Sequence, residues 1–275
     1  MAKQYIGKQT GPEVKPKSLS SCTLIYSPGG QAGEYAKYAL NHYRGCGHSC
    51  VYCYVPKIPF AKITREQFDA GAIEKPNFSL ERLDREAAIY AAHGVKDYIM
   101  LSFMTDPYNH DDVELQLTRK SLEILKRHGL SICTLTKGGQ RALRDIDLFD
   151  PPTDWFASTL TSLDNAVSLK WESKAALPHD RIATLRTFHN AGIRTWVSLE
   201  PVYDAAATIA IIRATHEFVD LYKVGRMNYC NVHIEWDRFT QDVLAVLNEV
   251  GAHYYVKKDL QPYVRERSPL HIASF

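Results

Sequence analysis

Strand-like and helix-like patterns alternate along this chain from about residue 36 onward, and this alternation restricts its possible folds more than any other feature. Runs rich in apolar, β-branched or aromatic residues predict strands at 35–43, 98–105, 131–136, 155–160, 194–199, 221–224 and 253–256. Amphipathic runs predict helices between them, at 79–93, 113–128, 179–190, 206–217 and 236–250. Because such crossovers are right-handed, the order predicts an α/β fold with a parallel sheet, either open and doubly wound or curled into a full or partial barrel.

We expect these elements to form a single domain, because no linker rich in proline, glycine or serine interrupts the 275-residue chain. Residues 1–34 show little periodicity and are expected to form an irregular N-terminal extension. The parallel domain is expected over 35–260, with an inserted segment at 56–78, and residues 261–275 are expected to form a C-terminal tail.

Composition excludes several classes of protein. With 45% apolar and 23% charged residues, the chain as a whole is neither disordered nor collagen-like nor a coiled coil. No apolar run approaches the roughly 18 residues that span a bilayer, and residues 1–6 lack the apolar core of a signal peptide. We therefore expect a soluble, cytoplasmic protein without a membrane partner. The net charge of +2 indicates no polyanion, although four lysines against one glutamate in residues 1–30 form a basic arm, either phosphate-binding or merely solvated.

Three of the six cysteines, Cys46, Cys50 and Cys53, fall within eight residues, and this spacing is the strongest chemical signal in the chain. Such a tight group is typical of a metal or cluster site rather than a disulfide scaffold. Three thiolates on one loop can hold three irons of a [4Fe–4S] cluster and leave the fourth iron open to chelate a small molecule. Gly45 and Gly47 are expected to let the loop wrap around the cluster. The alternatives are an inert group of thiols and structural zinc, with a nearby histidine, His42 or His48, as the fourth ligand.

Polar residues follow the predicted strands at the points where those strands end. Asp106 follows the second strand, Lys137 the third, and Glu200 the fifth, while Thr159 ends the fourth. Parallel βα folds place their chemistry at the carboxyl ends of the strands. We therefore expect these side chains to meet the cysteine loop in one site.

The arrangement Cys46-x3-Cys50-x-Tyr52-Cys53 after a first strand resembles the radical S-adenosylmethionine (SAM) superfamily. Within it, residues 43–54 resemble the spore photoproduct lyase-like branch, also described as DNA repair photolyase-like. The resemblance covers residues 35–260 and implies a partial (β/α)6 barrel of TIM type that holds a [4Fe–4S] cluster and SAM. One-electron reduction then cleaves SAM to methionine and a 5′-deoxyadenosyl radical, which abstracts a hydrogen from the substrate.

The resemblance also implies roles for individual residues. Cys46, Cys50 and Cys53 are the cluster ligands. The cofactor-binding residues are Asp106, near the SAM amino group, with its neighbour Thr105; Lys137, paired with the SAM carboxylate; Thr159, a hydroxyl contact; and Glu172 and Glu200, ribose or structural contacts. Tyr52 and Tyr54 are the catalytic candidates, lining the SAM site and relaying hydrogen, with packing against the cluster or adenine as the alternative. Arg181 is expected either near the ribose or paired with Glu172.

Three functions compete. The first is a radical SAM enzyme of lyase or isomerase type that repairs, rearranges or modifies a thymine-type base in DNA, supported by the basic arm and by Lys257–Lys258. The second is a radical SAM enzyme acting on a small molecule or peptide, because a fold does not determine a substrate. Both need a one-electron donor such as flavodoxin or ferredoxin. The third is a zinc-binding module without catalysis.

One position separates this chain from spore photoproduct lyase itself. The resemblance implies, for that enzyme, a hydrogen-donating cysteine near the end of the second strand, a few residues before the aspartate. Aligning on Asp106 places Phe103 there, and a phenyl ring has no readily donated hydrogen. Either another donor such as Cys230 substitutes, or the chemistry is not lesion reversal. The sequence therefore predicts that the chain does not efficiently repair the thymine dimer of spores.

Overall fold

The computed structural model describes residues 17–265, and an eight-stranded sheet carries the fold. In spatial order its strands are β1 (Ile25–Tyr26), β2 (Tyr38–Leu40), β5 (Ile99–Leu101), β6 (Ile132–Thr136), β7 (Trp155–Thr159), β8 (Arg194–Val202), β9 (Leu221–Arg226) and β10 (Tyr254–Val256). β1 pairs with β2 in the antiparallel direction, and the seven strands from β2 to β10 in this sheet run parallel to one another. A separate antiparallel pair consists of β3 (Tyr43–Arg44) and β4 (Ile73–Glu74).

Helices lie in all but one of the connections between the parallel strands, and the first helix precedes the sheet. The helices are α1 (Lys17–Ser20), α2 (Arg65–Asp69), α3 (Leu80–Ala92), α4 (Asp112–Leu115), α5 (Leu117–Arg127), α6 (Asn165–Trp171), α7 (Pro178–Asn190), α8 (Ala205–Thr215) and α9 (Trp236–Glu249). Short 3-10 segments cover Gly30–Glu34, Val55–Lys57, Pro59–Ala61, Gly139–Leu148 and Gln261–Tyr263, and the one at Gly139–Leu148 alone connects β6 to β7. Six crossovers between seven parallel strands confirm the α/β, partial-barrel fold expected from the sequence.

Alternate side chains of the strands enter two different cores, as the two-residue period of a strand requires. On β5, Ile99 and Leu101 pack outward against the helices, whereas Met100 packs inward with Cys133 and Trp196. Cys133 is therefore buried core, as its position within a predicted strand indicates, and the Trp196 indole N–H lies 3.4 Å from its Sγ.

The structure departs from the predicted elements at the helix expected over 113–128. It is divided at Gln116, whose φ of 50° lies in the left-handed region. The cause is Asp112, a buried carboxylate whose Oδ1 accepts the Thr118 N–H at 2.9 Å and the Tyr43 hydroxyl. Satisfying this carboxylate requires the chain to turn before α5 begins.

The N-terminal part of the chain contributes more order than expected. Within residues 17–34, β1 extends the sheet as an antiparallel edge, and the N–H groups of Leu24 and Ile25 donate to Glu86 on α3 at 2.8 and 2.9 Å. The boundaries at 34 and 260 stay predictions, and most of the basic arm lies outside the described residues. No helix between residues 17 and 265 is long and apolar enough to cross a membrane.

Candidate active site

A cavity of about 670 Å³ lies at the carboxyl ends of the parallel strands. Asp106 after β5, Lys137 after β6, Thr159 on β7, Glu200 on β8 and Arg226 on β9 all line it. All the predicted site residues line this cavity except Glu172 and Cys230. The strand ends therefore converge on the cysteine loop as the parallel topology requires.

The cysteine loop takes its shape from one glycine. Gly45 has a φ of +83°, and a Cβ at this position would overlap the carbonyl oxygen of Gly71. The next N–H, that of Cys46, donates to the Phe68 carbonyl at 2.8 Å, so the inserted segment holds the start of the loop. Gly47 has no positive φ, and a Cβ there would meet only ordinary contacts. Of the two glycines expected to shape the loop, the geometry requires only Gly45.

Cys46, Cys50 and Cys53 are free thiols that line the same wall of the cavity. Burial raises the pKa of Cys46 to about 12, and it also raises the pKa of Cys50 and of Cys53. Three soft sulfur donors on one loop, facing a cavity large enough for a further ligand, suit a [4Fe–4S] cluster with one open iron. These thiols are protonated at neutral pH, so cluster assembly must release their protons.

A zinc site would need His42 or His48 as its fourth ligand, and the structure engages both elsewhere. The ring of His48 donates from Nδ1 to Asp106 Oδ2 at 3.3 Å and accepts at Nε2 from Arg141 Nη2 at 2.7 Å. His42 is buried in the core with Nε2 2.9 Å from Thr118 Oγ1, and burial lowers its pKa to about 3. Among residues 17–265, no three or more His, Cys, Asp and Glu side chains are arranged to hold a single metal ion. A four-iron cluster is larger than one ion, so its ligands need not converge on a point.

Asp106 organises the wall beside the cysteine loop. Its Oδ1 accepts hydrogen bonds from Thr136 Oγ1 at 2.6 Å and the Tyr108 N–H at 2.9 Å, and its Oδ2 accepts from the Lys137 N–H at 2.7 Å and from His48. Burial opposes its charge, but His48 and these donors hold its pKa well below the ordinary value. Asp106 thus joins the cysteine loop to the ends of β5 and β6, and its contact with the SAM amino group stays a prediction.

Lys137 places a positive charge on the cavity wall. Burial opposes its charge, but the Glu172 and Asp106 carboxylates raise its pKa above the ordinary value, so the ammonium group persists. That group lies 5.7 Å from the centroid of the Tyr52 ring and hydrogen-bonds to no residue within 17–265. A partly buried ammonium group on a cavity wall, hydrogen-bonded to no described residue, suits a ligand carboxylate.

The two predicted threonine contacts differ in whether their hydroxyl groups already form hydrogen bonds within the protein. Thr105 donates its hydroxyl to the Gly45 carbonyl and so braces the start of the cysteine loop. Thr159 lines the cavity and is 4% exposed, and its carbonyl accepts from Arg181 Nη1 at 3.0 Å. Unlike the Thr105 hydroxyl, the Thr159 hydroxyl is hydrogen-bonded to no described residue. Thr159 is therefore the better candidate of the two for a ligand contact.

Glu172 lies behind the cavity wall rather than on it. Its Oε2 is 2.6 Å from Arg181 Nη2, and the two side chains are 0% and 1% exposed. Its Oε1 accepts the Tyr52 hydroxyl, and its backbone forms an isolated antiparallel bridge to Cys50. The pairing of Glu172 with Arg181, one of the two expected alternatives, is therefore present, and through Tyr52 it orients the wall of the cavity.

Tyr54 and Cys230, two of the predicted catalytic residues, differ in their relation to the cavity: Tyr54 lines it and Cys230 does not. The hydroxyl of Tyr54 donates to the Phe103 carbonyl at 2.7 Å, and its ring is within 24° of parallel to that of Tyr229, with centroids 6.4 Å apart. Cys230 does not line the cavity, and its Sγ is 3.9 Å from Lys57 Nζ. The Phe103 ring does line it. A hydrogen-donor role for Cys230 would need the segment after β9, which carries Cys230, to move.

Tyr35 and Lys257 are cavity residues that the sequence interpretation missed as site residues. Lys257 Nζ lies 2.5 Å from Glu200 Oε2 and 4.5 Å from the centroid of the Tyr35 ring. The Tyr35 hydroxyl donates to the same Glu200 oxygen. Gly225 makes room for the pair, because a Cβ there would lie 2.7 Å from Lys257 Cδ and 2.9 Å from Glu200 Cδ. Lys257 directly follows β10, so the strand-end rule that found Lys137 could have found it as well.

Comparison with known proteins finds a family that this chain matches. A family model described as the radical SAM superfamily matches residues 40–204. An uncharacterized protein of Methanocaldococcus jannaschii is 29% identical over 200 residues, covering 70% of this chain and 71% of that protein. An uncharacterized protein of Mycobacterium tuberculosis is 27% identical over 178 residues, covering 60% of this chain and 49% of that protein.

Solved structures agree on the fold. A variant of spore photoproduct lyase with dinucleoside spore photoproduct superposes with a TM-score of 0.64 at 13% identity, covering 90% of this chain and 87% of that chain. Streptococcus suis SuiB bound to SAM superposes with a TM-score of 0.57 at 11% identity, covering 79% of this chain and 49% of that chain. The chain thus spans about half the length of SuiB and of the mycobacterial relative. At such identities the likeness concerns the fold alone.

Proposed function

Because the chain belongs to the radical SAM superfamily, we propose that it reductively cleaves SAM in this cavity and uses the radical on a thymine-type nucleobase in DNA. One observation carries the proposal: a single cavity holds two sets of side chains. The three cysteines and Lys137 form the first set, and they suit the cofactors. The second set consists of aromatic rings and the Lys257–Glu200 pair, and it suits a planar, polar ring.

The chemistry of the first set depends on a bound [4Fe–4S] cluster, which when reduced supplies the electron that cleaves SAM to methionine and a 5′-deoxyadenosyl radical. Cys46, Cys50 and Cys53 would hold three irons and leave the fourth to SAM. Lys137 would bind the SAM carboxylate, because it lines the cavity and its ammonium group is hydrogen-bonded to no described residue. Asp106 would keep the cysteine loop and Lys137 in register, since its carboxylate accepts hydrogen bonds from both segments.

The second set supports a nucleobase substrate through its donor and acceptor pattern. Lys257 has further N–H groups to donate, and Glu200 uses only Oε2 for Lys257 and Tyr35. An ammonium donor beside a carboxylate acceptor complements the C=O and N–H of a thymine-type edge. The rings of Tyr35, Phe103 and Tyr229 line the same cavity and offer surfaces on which a base can stack.

Two solved structures of similar fold were determined with different classes of substrate, and each supports a different candidate. The spore photoproduct lyase variant was solved with a dinucleoside, and its fold overlaps almost the whole of this chain, which favours the nucleobase. SuiB was solved with its precursor peptide SuiA, which favours a peptide as the second candidate. SuiB has about as much chain again outside the overlap, so we propose the nucleobase first.

The test uses anaerobically reconstituted protein, dithionite, SAM and an oligonucleotide whose thymines are perdeuterated. We expect 5′-deoxyadenosine to form and to carry deuterium taken from the base. Lys137→Met should raise the KM for SAM by about tenfold or more while the iron content stays unchanged, because a charge-assisted pair is lost. Lys257→Met should lower the fraction of SAM cleavage that is coupled to deuterium transfer.

Two outcomes would contradict the proposal at different levels. Protein with an intact four-iron cluster that forms no 5′-deoxyadenosine would refute SAM cleavage. Abundant 5′-deoxyadenosine without deuterium, with every thymine-containing oligonucleotide tried, would refute the nucleobase. A peptide that stimulates SAM cleavage in the same assay would favour the second candidate.

A further inference from the structure

The cysteine loop has two faces, and only one of them belongs to the cavity. Its sulfur-bearing side lines the cavity, where SAM and substrate would bind. Its other side reaches the surface at Val51, which directly follows Cys50 and is 49% exposed. Val51 does not line the cavity, so the surface it reaches is one residue away from a ligand position. A molecule touching Val51 therefore approaches the cluster without entering the cavity.

A second segment, 169–174, lies along the outer side of the loop. The Val51 N–H donates to the Trp171 carbonyl at 2.9 Å, and the Lys174 N–H donates to the His48 carbonyl at 3.2 Å. Leu169, on the last turns of α6, is 49% exposed. Two apolar side chains thus reach solvent on neighbouring segments beside the ligands.

Positive charge accompanies these apolar residues. Lys170 and Lys174 are exposed, and neither forms an ion pair with a described residue. Arg65 donates from Nη1 to the Cys50 carbonyl at 2.9 Å, and its own charge is balanced by Asp69. Glu172 is buried and neutralised by Arg181, so it offers no negative charge outside. The surface thus combines two exposed apolar side chains with two exposed lysines.

We propose that this cysteine-loop surface, formed by Val51, Leu169, Lys170 and Lys174, is the docking site of an acidic one-electron carrier protein. The inference rests on the proposed function, because reductive SAM cleavage consumes one electron per event. In the step itself the carrier loses one electron, the four-iron cluster gains it, and no bond is formed or broken. Apolar contact excludes water at the centre of such an interface, and the lysines steer an acidic partner to it.

The experiment compares two ways of reducing the same holoenzyme, with recombinant bacterial flavodoxin or ferredoxin and with dithionite. The variant is Lys170→Glu/Lys174→Glu, and the matched control is Arg85→Glu/Lys96→Glu, which changes net charge equally at exposed positions away from the loop. We expect the double variant to lower carrier-driven 5′-deoxyadenosine formation by about tenfold at low salt. The dithionite-driven rate and the control should match the wild type, and added salt should shrink the difference.

Each result has a definite meaning. Failure of dithionite to drive SAM cleavage in the wild type refutes the proposed function itself. If dithionite drives cleavage but the double variant keeps the wild-type carrier-driven rate, the docking site alone is refuted. The docking site alone is also refuted if neither carrier reduces the wild-type enzyme. Should the double variant lose its iron, Lys170→Gln/Lys174→Gln removes the charges more mildly, and it must show a smaller loss in the same direction.

Discussion

Replacing Glu172 with glutamine tests whether this residue supports the site or binds a cofactor. The substitution keeps the side-chain volume and an oxygen for the Tyr52 hydroxyl, but it removes the charge 2.6 Å from Arg181 Nη2. Arg181 is 1% exposed, and its remaining partners are the neutral carbonyls of Thr159 and Ala176. A guanidinium left buried without its carboxylate costs about 3–5 kcal/mol of unfolding free energy.

The assay is urea unfolding of the metal-free protein, so that cofactor contacts do not contribute. Glu172→Gln should lower the urea concentration at which half the protein is unfolded. The slope of unfolding free energy against urea concentration should not change, as expected for a change in stability alone. Adding Arg181→Met should recover part of the loss, because the uncompensated charge is removed, and the double-mutant cycle should show about 1–3 kcal/mol of coupling. A Glu172→Gln variant within about 0.5 kcal/mol of wild type would refute the structural role and favour a ribose contact.

The pH dependence gives an independent check on the same pair. Burial opposes the charge of Glu172, but Arg181 and Lys137 hold its pKa below the ordinary value of 4.5. A carboxyl whose pKa is lower in the folded state stabilises the fold above its unfolded pKa and loses that contribution as pH falls. The stability difference between wild type and Glu172→Gln should therefore be full above about pH 5 and narrow as the pH drops below 4.5. A difference independent of pH would show that charge is not its origin.

Three further predictions follow from the loop and the cavity wall. Replacing any one of the three loop cysteines with alanine should abolish four-iron binding, measured as iron per chain and brown absorption, and a variant that keeps a full cluster and cleaves SAM would show that the ligands were wrongly chosen. Gly45→Ala should lower iron retention and stability by more than about 1 kcal/mol, because its Cβ would overlap a carbonyl at positive φ, whereas Gly47→Ala should stay within about 0.5 kcal/mol of wild type. With dinucleoside spore photoproduct as substrate we expect no efficient repair, because Phe103 offers no hydrogen, and clean release of thymine over many turnovers would overturn that expectation.

Much of the architecture follows from local sequence patterns. Periods of two and 3.6 residues identify strands and helices, and right-handed crossovers then allow few arrangements of seven parallel strands. The same rule predicts that Asp106, Lys137 and Glu200 face one site, since the carboxyl ends of parallel strands lie at one edge. The cysteine ligands are predictable for a simpler reason, because all three lie on one short loop.

The partners of these residues depend on the folded chain. Tyr35, Glu200 and Lys257 are brought together by the curvature of the sheet, from positions 165 and 57 residues apart. Local patterns record which face a residue takes, but they do not record which distant side chain it meets there. The break at Gln116 has the same origin, because the Asp112 carboxylate that causes it is held by Tyr43, far away in sequence. Sequence alone thus determined the order of the elements and the edge that carries the chemistry, whereas only tertiary packing decided how each buried charge is balanced.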